Sequence, residues 1–354
     1  MALIRPVPTG PASIVGRFRS HRPAFPAQGT RWFAGLRAAL PKAQPSREQL
    51  SVGAANLPQP LGRIGALELK LAERPKEVKR AQRLRYRVFF EEMSAEADPL
   101  ARLARRDMDH YDTVCDHLLV LDHAVRPNAI AEKLLGGLRG FEIKGVDLKA
   151  LDLPRPSKPK KPAVVGTYRL LRQEVADEAF GFYTAGEFAI ERVIDRHPDL
   201  NFLELGRSCV LKPYRDKRTV ELLWHGIWAY VLAHGIDVMF GCASLEGTDP
   251  QKLALPLSYL KHFHAAPPEW NAPPLPGRGA TLDYLPREAI DPRAALRALP
   301  PLIKGYLRLG AYIGEAPVVD RQFGCTDVLI VLPRSAINPR YVDYYGADAG
   351  RHAA

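Results

Sequence analysis

The most apolar run of the chain, LLWHGIWAYVLAHGIDVMFGCASL from Leu222 to Leu245, sets the first constraint. A membrane span needs about 18 consecutive apolar residues, and His225, His234 and Asp237 interrupt this one. The run divides into two elements instead. Val220 to about His234 reads as a helix, with Thr219 at the N-cap, Glu221 in the positive first turn and Gly235 as the C-terminal stop. DVMFGCASL then reads as a fully buried strand, because it is apolar almost without alternation.

The same periodicities recur from about Leu67 onward. Val78, Ala81, Leu84 and Val88 repeat at three- and four-residue steps, which predicts an amphipathic helix carrying RLRYRVFFEEM. HLLVLD, VVGTYRLL, NFLELGRSCVL and TDVLIVLPR read as strands. This order predicts an α/β (α+β) architecture, a mixed central sheet flanked by helices. After Pro267 a Pro-rich connector, APPEWNAPPLPGRG, leads into the amphipathic LPPLIKGYLRLGAYIG. That stretch is expected to cover a sheet edge or pocket, with a membrane-facing patch as the alternative. Three regions follow: a basic Pro-rich tail over 1–62, a core over 63–266, and a C-terminal extension over 267–354 packing on the core.

The formal charge of +11 over 354 residues asks for an anionic partner. Its distribution narrows the choice. Residues 1–60 contribute +7 with nine prolines, RPSKPKKP (155–162) contributes +4, and the remainder is neutral. Neither basic stretch has apolar periodicity, so both read as a tail or an exposed loop and not as a nucleic-acid groove. Trp32 and Phe33 among the arginines favour contact with an anionic membrane surface. The four cysteines are scattered without paired spacing, and no secretory apolar segment is present. A cytoplasmic protein, at most peripheral on the inner membrane, is expected.

One join carries a chemical signal by itself. A strand ending in PYRDKRT at a helix N-terminus offers unpaired backbone N–H groups to an anion, and Arg215, Lys217 and Arg218, with Thr219, would hold a phosphate there. Solvated basic residues in an ordinary turn are the plainer alternative.

The strings LRYRVFFEE, MDHYDTVCDHLLVLD, GTYRLLR, GFYTAGEF, LELGRSCVLKPYR, LSYLKHFHAAP and VVDRQFGCTDVLIVLP resemble the L-ornithine Nα-acyltransferases. These are members of the GNAT acyltransferase superfamily and relatives of the acyl-homoserine-lactone synthases. The resemblance runs from about Leu67 to Tyr345. It implies transfer of a 3-hydroxyacyl group from phosphopantetheine on acyl carrier protein to the α-amine of L-ornithine, with no other cofactor and no metal. The superfamily's glycine-containing phosphate loop is replaced here by Tyr214–Thr219, which suits a carrier presenting one phosphate better than coenzyme A.

Such a reaction needs an amine that loses a proton, a stabilised oxyanion and a slot for the acyl chain. Glu204 is expected to act as general base, directly or through water, and Arg207 to anchor the acceptor carboxylate or hold Glu204. Strict alternation would put these two on opposite faces, so a bulge at Gly206 is required. Arg85 and Phe89, four apart on a helix, are expected to meet the carboxylate and the acyl chain. Asp109 and Asp112 are candidates for ornithine's δ-ammonium. Arg169, a charge inside an apolar strand, needs a partner such as one of these aspartates. Glu187 is a further pocket candidate.

Other signals are weaker. His117 and Asp122 have the HxxxxD spacing of glycerolipid acyltransferases, but residues five apart on a strand face opposite ways. His262 and His264 have no third ligand at metal-binding spacing, and Ser208 lacks a nucleophile elbow. The alternatives to ornithine acylation are an acyl-homoserine-lactone synthase and a non-catalytic module that binds membrane or carrier protein.

Overall fold

The computed structural model describes residues 57, 59–93, 95–124 and 162–337. The expected tail up to residue 56 and the insertion RPSKPKKP up to Lys161 lie outside them.

Among the described residues nine strands form one sheet: β1 (Gly62–Ile64), β2 (Leu67–Leu71), β3 (Asp116–Asp122), β4 (Ala163–Arg172), β5 (Phe202–Val210), β6 (Val238–Glu246), β7 (Tyr312–Ile313), β8 (Val318–Asp320) and β9 (Cys325–Pro333). Their order is β1-β2-β3-β4-β5-β6-β9-β7, with β8 also paired to β9. Neighbours are antiparallel except β5 and β6, which are parallel. That exception follows from chain length, since α5 (Lys217–Ala233) carries the chain between these strands and lets it re-enter in the same sense.

The strands expected from apolar runs are β3, β4, β5, β6 and β9. The chain beyond residue 267 supplies β9, which is buried along its whole length and paired with β6 over nine positions. It therefore forms part of the central sheet. The amphipathic stretch at 299–314 becomes α8 (Pro301–Leu309), whose Ile303, Tyr306 and Leu309 are buried. Tyr306 packs edge-on to Trp224 of α5 and hydrogen-bonds the Tyr168 hydroxyl of β4 at 2.8 Å. Its apolar face thus covers the sheet, as the plainer sequence reading expects. No described helix is long and apolar enough to cross a membrane.

The two sheet faces have different covers. Leu118, Val120, Leu170 and Leu203 point toward α5 and α8, forming the largest apolar cluster with them. On the opposite face, Leu119 and Leu121 meet α1 (Pro75–Tyr86) through Val78 and Ala81. A second cluster on this face gathers Leu171, Phe202, Phe240 and Leu329 under Phe182 and Phe188. Polar side chains lie between these two apolar patches.

The start of α5 corrects one expectation. Asp216, not Thr219, is the N-cap, and its side chain accepts the Thr219 N–H at 3.0 Å. An aspartate accepts this bond as readily as a threonine, and here it starts the helix at Lys217. The expected stop at Gly235 is present, in the left-handed region at φ +60°.

At the β5–β6 junction, pairing covers Phe202–Glu204 against Val238–Phe240 and then ceases, although both strands continue. A methyl group at Gly241 would sit 2.3 Å from the Leu205 carbonyl oxygen. Because that obstacle is backbone, Gly241→Ala is expected to destabilise the fold by about 1–3 kcal/mol in chemical denaturation. A loss under 0.5 kcal/mol would mean that the strands part without a close approach.

Candidate active site

The cluster begins with charges that alternation points toward α1. On β4, Arg169 lies opposite His117 of β3, and the loop before β3 supplies Asp107, Asp109 and Asp112. Arg169 Nη1 donates to both Asp109 oxygens at 2.6 and 2.7 Å and lies 3.5 Å from Asp112 Oδ1. The buried strand arginine therefore has the partners expected of it. From α1, Arg85 is wholly buried and forks onto Asp112 at 2.8 and 2.6 Å. It also donates to the Asp107 carbonyl at 2.7 Å, and its Nε lies 2.7 Å from Asp107 Oδ2. Arg207 adds contacts of 3.2 Å to Asp109 and 3.4 Å to Asp107.

This saturation corrects two assignments. Arg85 does not present a free guanidinium to a substrate carboxylate. Asp109 and Asp112 do not await an ammonium, since three arginines already neutralise the three aspartates. Burial would raise Asp112, but Arg85 outweighs it and holds the carboxyl below its usual range. Burial would likewise raise Asp109, but Arg169 and Arg207 outweigh it and hold the carboxyl below its usual range. His117 is driven down to about 3 by burial and by Arg85, so it is neutral.

The required bulge is present. Thr167 pairs with Cys209 and Arg169 with Gly206, so Arg207 and Ser208 of β5 face the single Tyr168 of β4. The residue in the left-handed region is Arg207 itself, at φ +49°, and not Gly206. A non-glycine residue there costs about 1 kcal/mol or more. The strain is offset by the two aspartates and by two rings, since the guanidinium lies 4.9 Å from the Tyr183 ring centre and 4.7 Å from that of Phe323.

Glu204 and Arg207 thereby meet on Tyr183. Glu204 accepts the backbone N–H of Tyr183 at 3.0 Å and of Thr184 at 2.6 Å, anchoring the turn Tyr183–Gly186. Burial raises its carboxyl despite these bonds. Each oxygen accepts one backbone N–H, so Glu204 positions the Tyr183 turn. Glu187 ends that turn, also buried, with Oε2 lacking a hydrogen-bond partner among the described residues.

Phe89 leaves the face occupied by Arg85, because hydrogen bonding changes to a π-helix over Arg87–Glu92. Wider turns of this kind shift side-chain phase and occur often at functional sites. Phe89 instead meets Phe323 edge-on at 5.9 Å, bordering Arg207.

In the basic loop, Arg215 binds Glu92 at 2.6 Å and the Val210 carbonyl at 2.9 Å. Lys217 pairs with Glu221 at 3.2 Å and Arg218 with Asp216 at 3.5 Å. These three cations are exposed. Thr219 is not a phosphate ligand here, because its side chain is wholly buried and its N–H is taken by Asp216.

Asp107, Tyr183, Phe323 and Asp327 join the region without having been singled out in the sequence. Asp107 was legible as the first of the three aspartates in RDMDHYD. Phe323 was not, since it arrives from the β8–β9 turn. His117 and Asp122 take different partners: His117 contacts Asp112, whereas Asp122 accepts the Tyr214 hydroxyl at 2.7 Å. His262 and His264 contact the Leu285 carbonyl and the Tyr259 hydroxyl.

Residues 84–225 match the acetyltransferase (GNAT) domain family. A relative from Rhizobium meliloti, named L-ornithine N(alpha)-acyltransferase, is 50% identical over 83% of this chain and 89% of its own. Relatives of the same name from Brucella abortus and Agrobacterium fabrum are each 48% identical over 82% of this chain, covering 92% and 88% of theirs. A solved N-acyl amino acid synthase from uncultured soil microbes aligns with TM-score 0.40 and 11% identity, over 80% of this chain and 97% of its own. With 50% identity to one such relative over 83% of this chain and 89% of the relative's, this acyltransferase belongs to the L-ornithine Nα-acyltransferase family and carries a GNAT domain.

Proposed function

We propose that the protein transfers a 3-hydroxyacyl group from the phosphopantetheine of acyl carrier protein to the α-amine of L-ornithine, giving lyso-ornithine lipid. The observation that carries this reading is the 48–50% identity, over most of both chains, to relatives named for that acceptor. The parting of β5 from β6 supports it, because unpaired strand edges can bind an extended pantetheine-like chain through backbone hydrogen bonds. In the reaction the amine nitrogen attacks the thioester carbonyl, the C–N bond forms, the C–S bond breaks, and the carrier leaves as a thiol.

Within this reading Arg207, which unlike Arg85 keeps some exposure and makes only the longer contacts of 3.4 and 3.2 Å to Asp107 and Asp109, anchors the acceptor carboxylate beside the bulge, and Phe89 with Phe323 borders the acyl chain. Glu204 keeps the Tyr183 turn in place. Arg215, Lys217 and Arg218 meet the carrier's phosphate through exposed charge. The basic residues of the first 60 hold the enzyme to an anionic membrane surface on the cytoplasmic side, where the product partitions.

Purified protein given a 3-hydroxyacyl carrier protein and L-ornithine is expected to yield the amide and free carrier thiol, read by mass spectrometry. S-adenosylmethionine as acceptor should yield no lactone. Acylation of another amine in preference to ornithine, or of ornithine from coenzyme A alone, would overturn the acceptor or the donor assignment respectively.

A further inference from the structure

Beyond Arg207 lies a second group of carboxylates that the neutralised network does not include. Pairing places Ser244 opposite Asp327, Glu246 opposite Cys325, and Asp320 of β8 opposite Cys325. Directly opposed residues share a face, so Cys242, Ser244, Cys325 and Asp327 point one way. That way is toward the Tyr183 turn, as the 3.7 Å contact between Cys242 Sγ and Thr184 Oγ1 requires. Side-chain atoms of Asp320, Cys325 and Asp327 lie within 4.8 Å of one another. Glu187, at the end of the turn, hydrogen-bonds Cys242 and interacts with the charges of Asp327 and Asp320.

We propose that Glu187, Asp327 and Asp320 form the receptor for the side-chain ammonium of the acceptor, and so select a diamino acid. This rests on the ornithine reading above and adds where its second amine binds.

Three observations carry it. First, Oε2 of Glu187 has no hydrogen-bond partner among the described residues, although the residue is only 5% exposed. An orphaned buried carboxylate oxygen is costly unless a donor arrives from outside the chain. Second, among the described residues none of the three carboxylates lies in an ion pair, whereas Asp107, Asp109 and Asp112 are balanced by arginines. Burial and the charges of Asp327 and Asp320 push Glu187 up to about 7, and burial raises Asp327 as well. An ammonium brings the missing charge and up to three N–H donors. Third, Arg207 acts electrostatically on Asp327 and shares Tyr183 with the Glu187 turn. A zwitterion with a carboxylate end near the guanidinium and an ammonium end among the carboxylates matches this charge order.

A metal ion is the less suitable occupant. Burial raises the Cys325 thiol well above its usual range, keeping it protonated and a poor ligand. Asp320 Oδ1 is also held by the Gln322 and Phe323 N–H groups at 2.8 and 3.0 Å.

Calorimetric titration of the full chain with L-ornithine and L-norvaline, which has the same carbon skeleton without the δ-amine, tests the assignment without requiring turnover. Ornithine is expected to bind at least 100-fold more tightly. Glu187→Gln and Asp327→Asn, both nearly isosteric, should each reduce that preference at least tenfold, and Glu187→Asp should restore part of it. Should one variant fail to fold by circular dichroism, the other decides. The proposal is overturned if the preference is absent in the wild type or survives in the variants. Equal weakening of both ligands, or ornithine binding abolished by a chelator and restored by a divalent metal, also overturns it. Selective ornithine binding without amide formation would leave this assignment standing and overturn the acyl-transfer reading instead.

Discussion

Replacing Arg85 by leucine is expected to cost about 3–5 kcal/mol of folding stability and to lower the thermal midpoint by roughly 10 °C. The side chain is 0% exposed, and its guanidinium joins Asp112, the Asp107 carbonyl and the Asp107 carboxylate. Leucine would fill some of the volume but leave two buried carboxylates short of a partner, and an uncompensated buried charge outweighs the apolar gain. Arg85→Lys should recover little, because a single ammonium cannot reproduce the forked contact with Asp112. Adding Asp112→Asn to Arg85→Leu should recover part of the loss, since the stranded charge is removed with its partner.

The pH dependence has a definite sign. Asp112 is held below its ordinary range in the folded state, so its contribution is present above the unfolded value and lost as pH falls through the folded one. Arg85→Leu should therefore destabilise most at neutral pH, and the gap from wild type should narrow in acid. Urea titrations at pH 7 and pH 3 measure both quantities. A loss below 1 kcal/mol at pH 7 would mean that the network does not hold α1 to the sheet.

Substitution of Arg207 separates backbone strain from function. In Arg207→Ala and Arg207→Gly alike, kcat/KM for ornithine acylation should fall by about 10²–10³-fold, the range for removing one preorganised charge from a reacting centre. Their stabilities should differ. At φ +49° alanine keeps the steric cost of a Cβ and glycine does not, so the glycine variant should be the more stable by about 1 kcal/mol. Activity is read as amide formation and stability as a urea midpoint. If Arg207→Gly retains activity within threefold of wild type, Arg207 is a structural clamp between Tyr183 and Phe323 and not part of the site. If alanine is as stable as glycine, the left-handed conformation is not a source of strain.

The sequence exposed some members of this site and concealed others for physical reasons. Arg169 stood out because a charge within GTYRLLR contradicts its apolar surroundings, and its need for an aspartate could be stated at once. The bulge was deducible because Glu204 and Arg207 could share a face by no other means. Which residue would take the left-handed conformation was not deducible, since Gly206 was the natural choice by intrinsic preference. Arg207 occupies it because two aspartates and two aromatic rings hold it there, and those partners come from distant segments. The roles of Arg85, Asp109 and Asp112 were misassigned for a related reason. A list of charged residues does not reveal which of them neutralise one another and which remain for a ligand.

By itself, then, the sequence determined the secondary structure and the layered architecture, because the 3.6- and two-residue periodicities of apolar residues are local properties of the chain. It also determined the family, through strings spread from Leu67 to Tyr345. Only the tertiary structure decided that β9 lies within the central sheet, and that three arginines cancel three aspartates beside the bulge. It likewise left Glu187, Asp320 and Asp327 without an ion pair among the described residues. Strand pairing and charge compensation depend on distances between residues far apart in sequence, and those distances exist only after the sheet has formed.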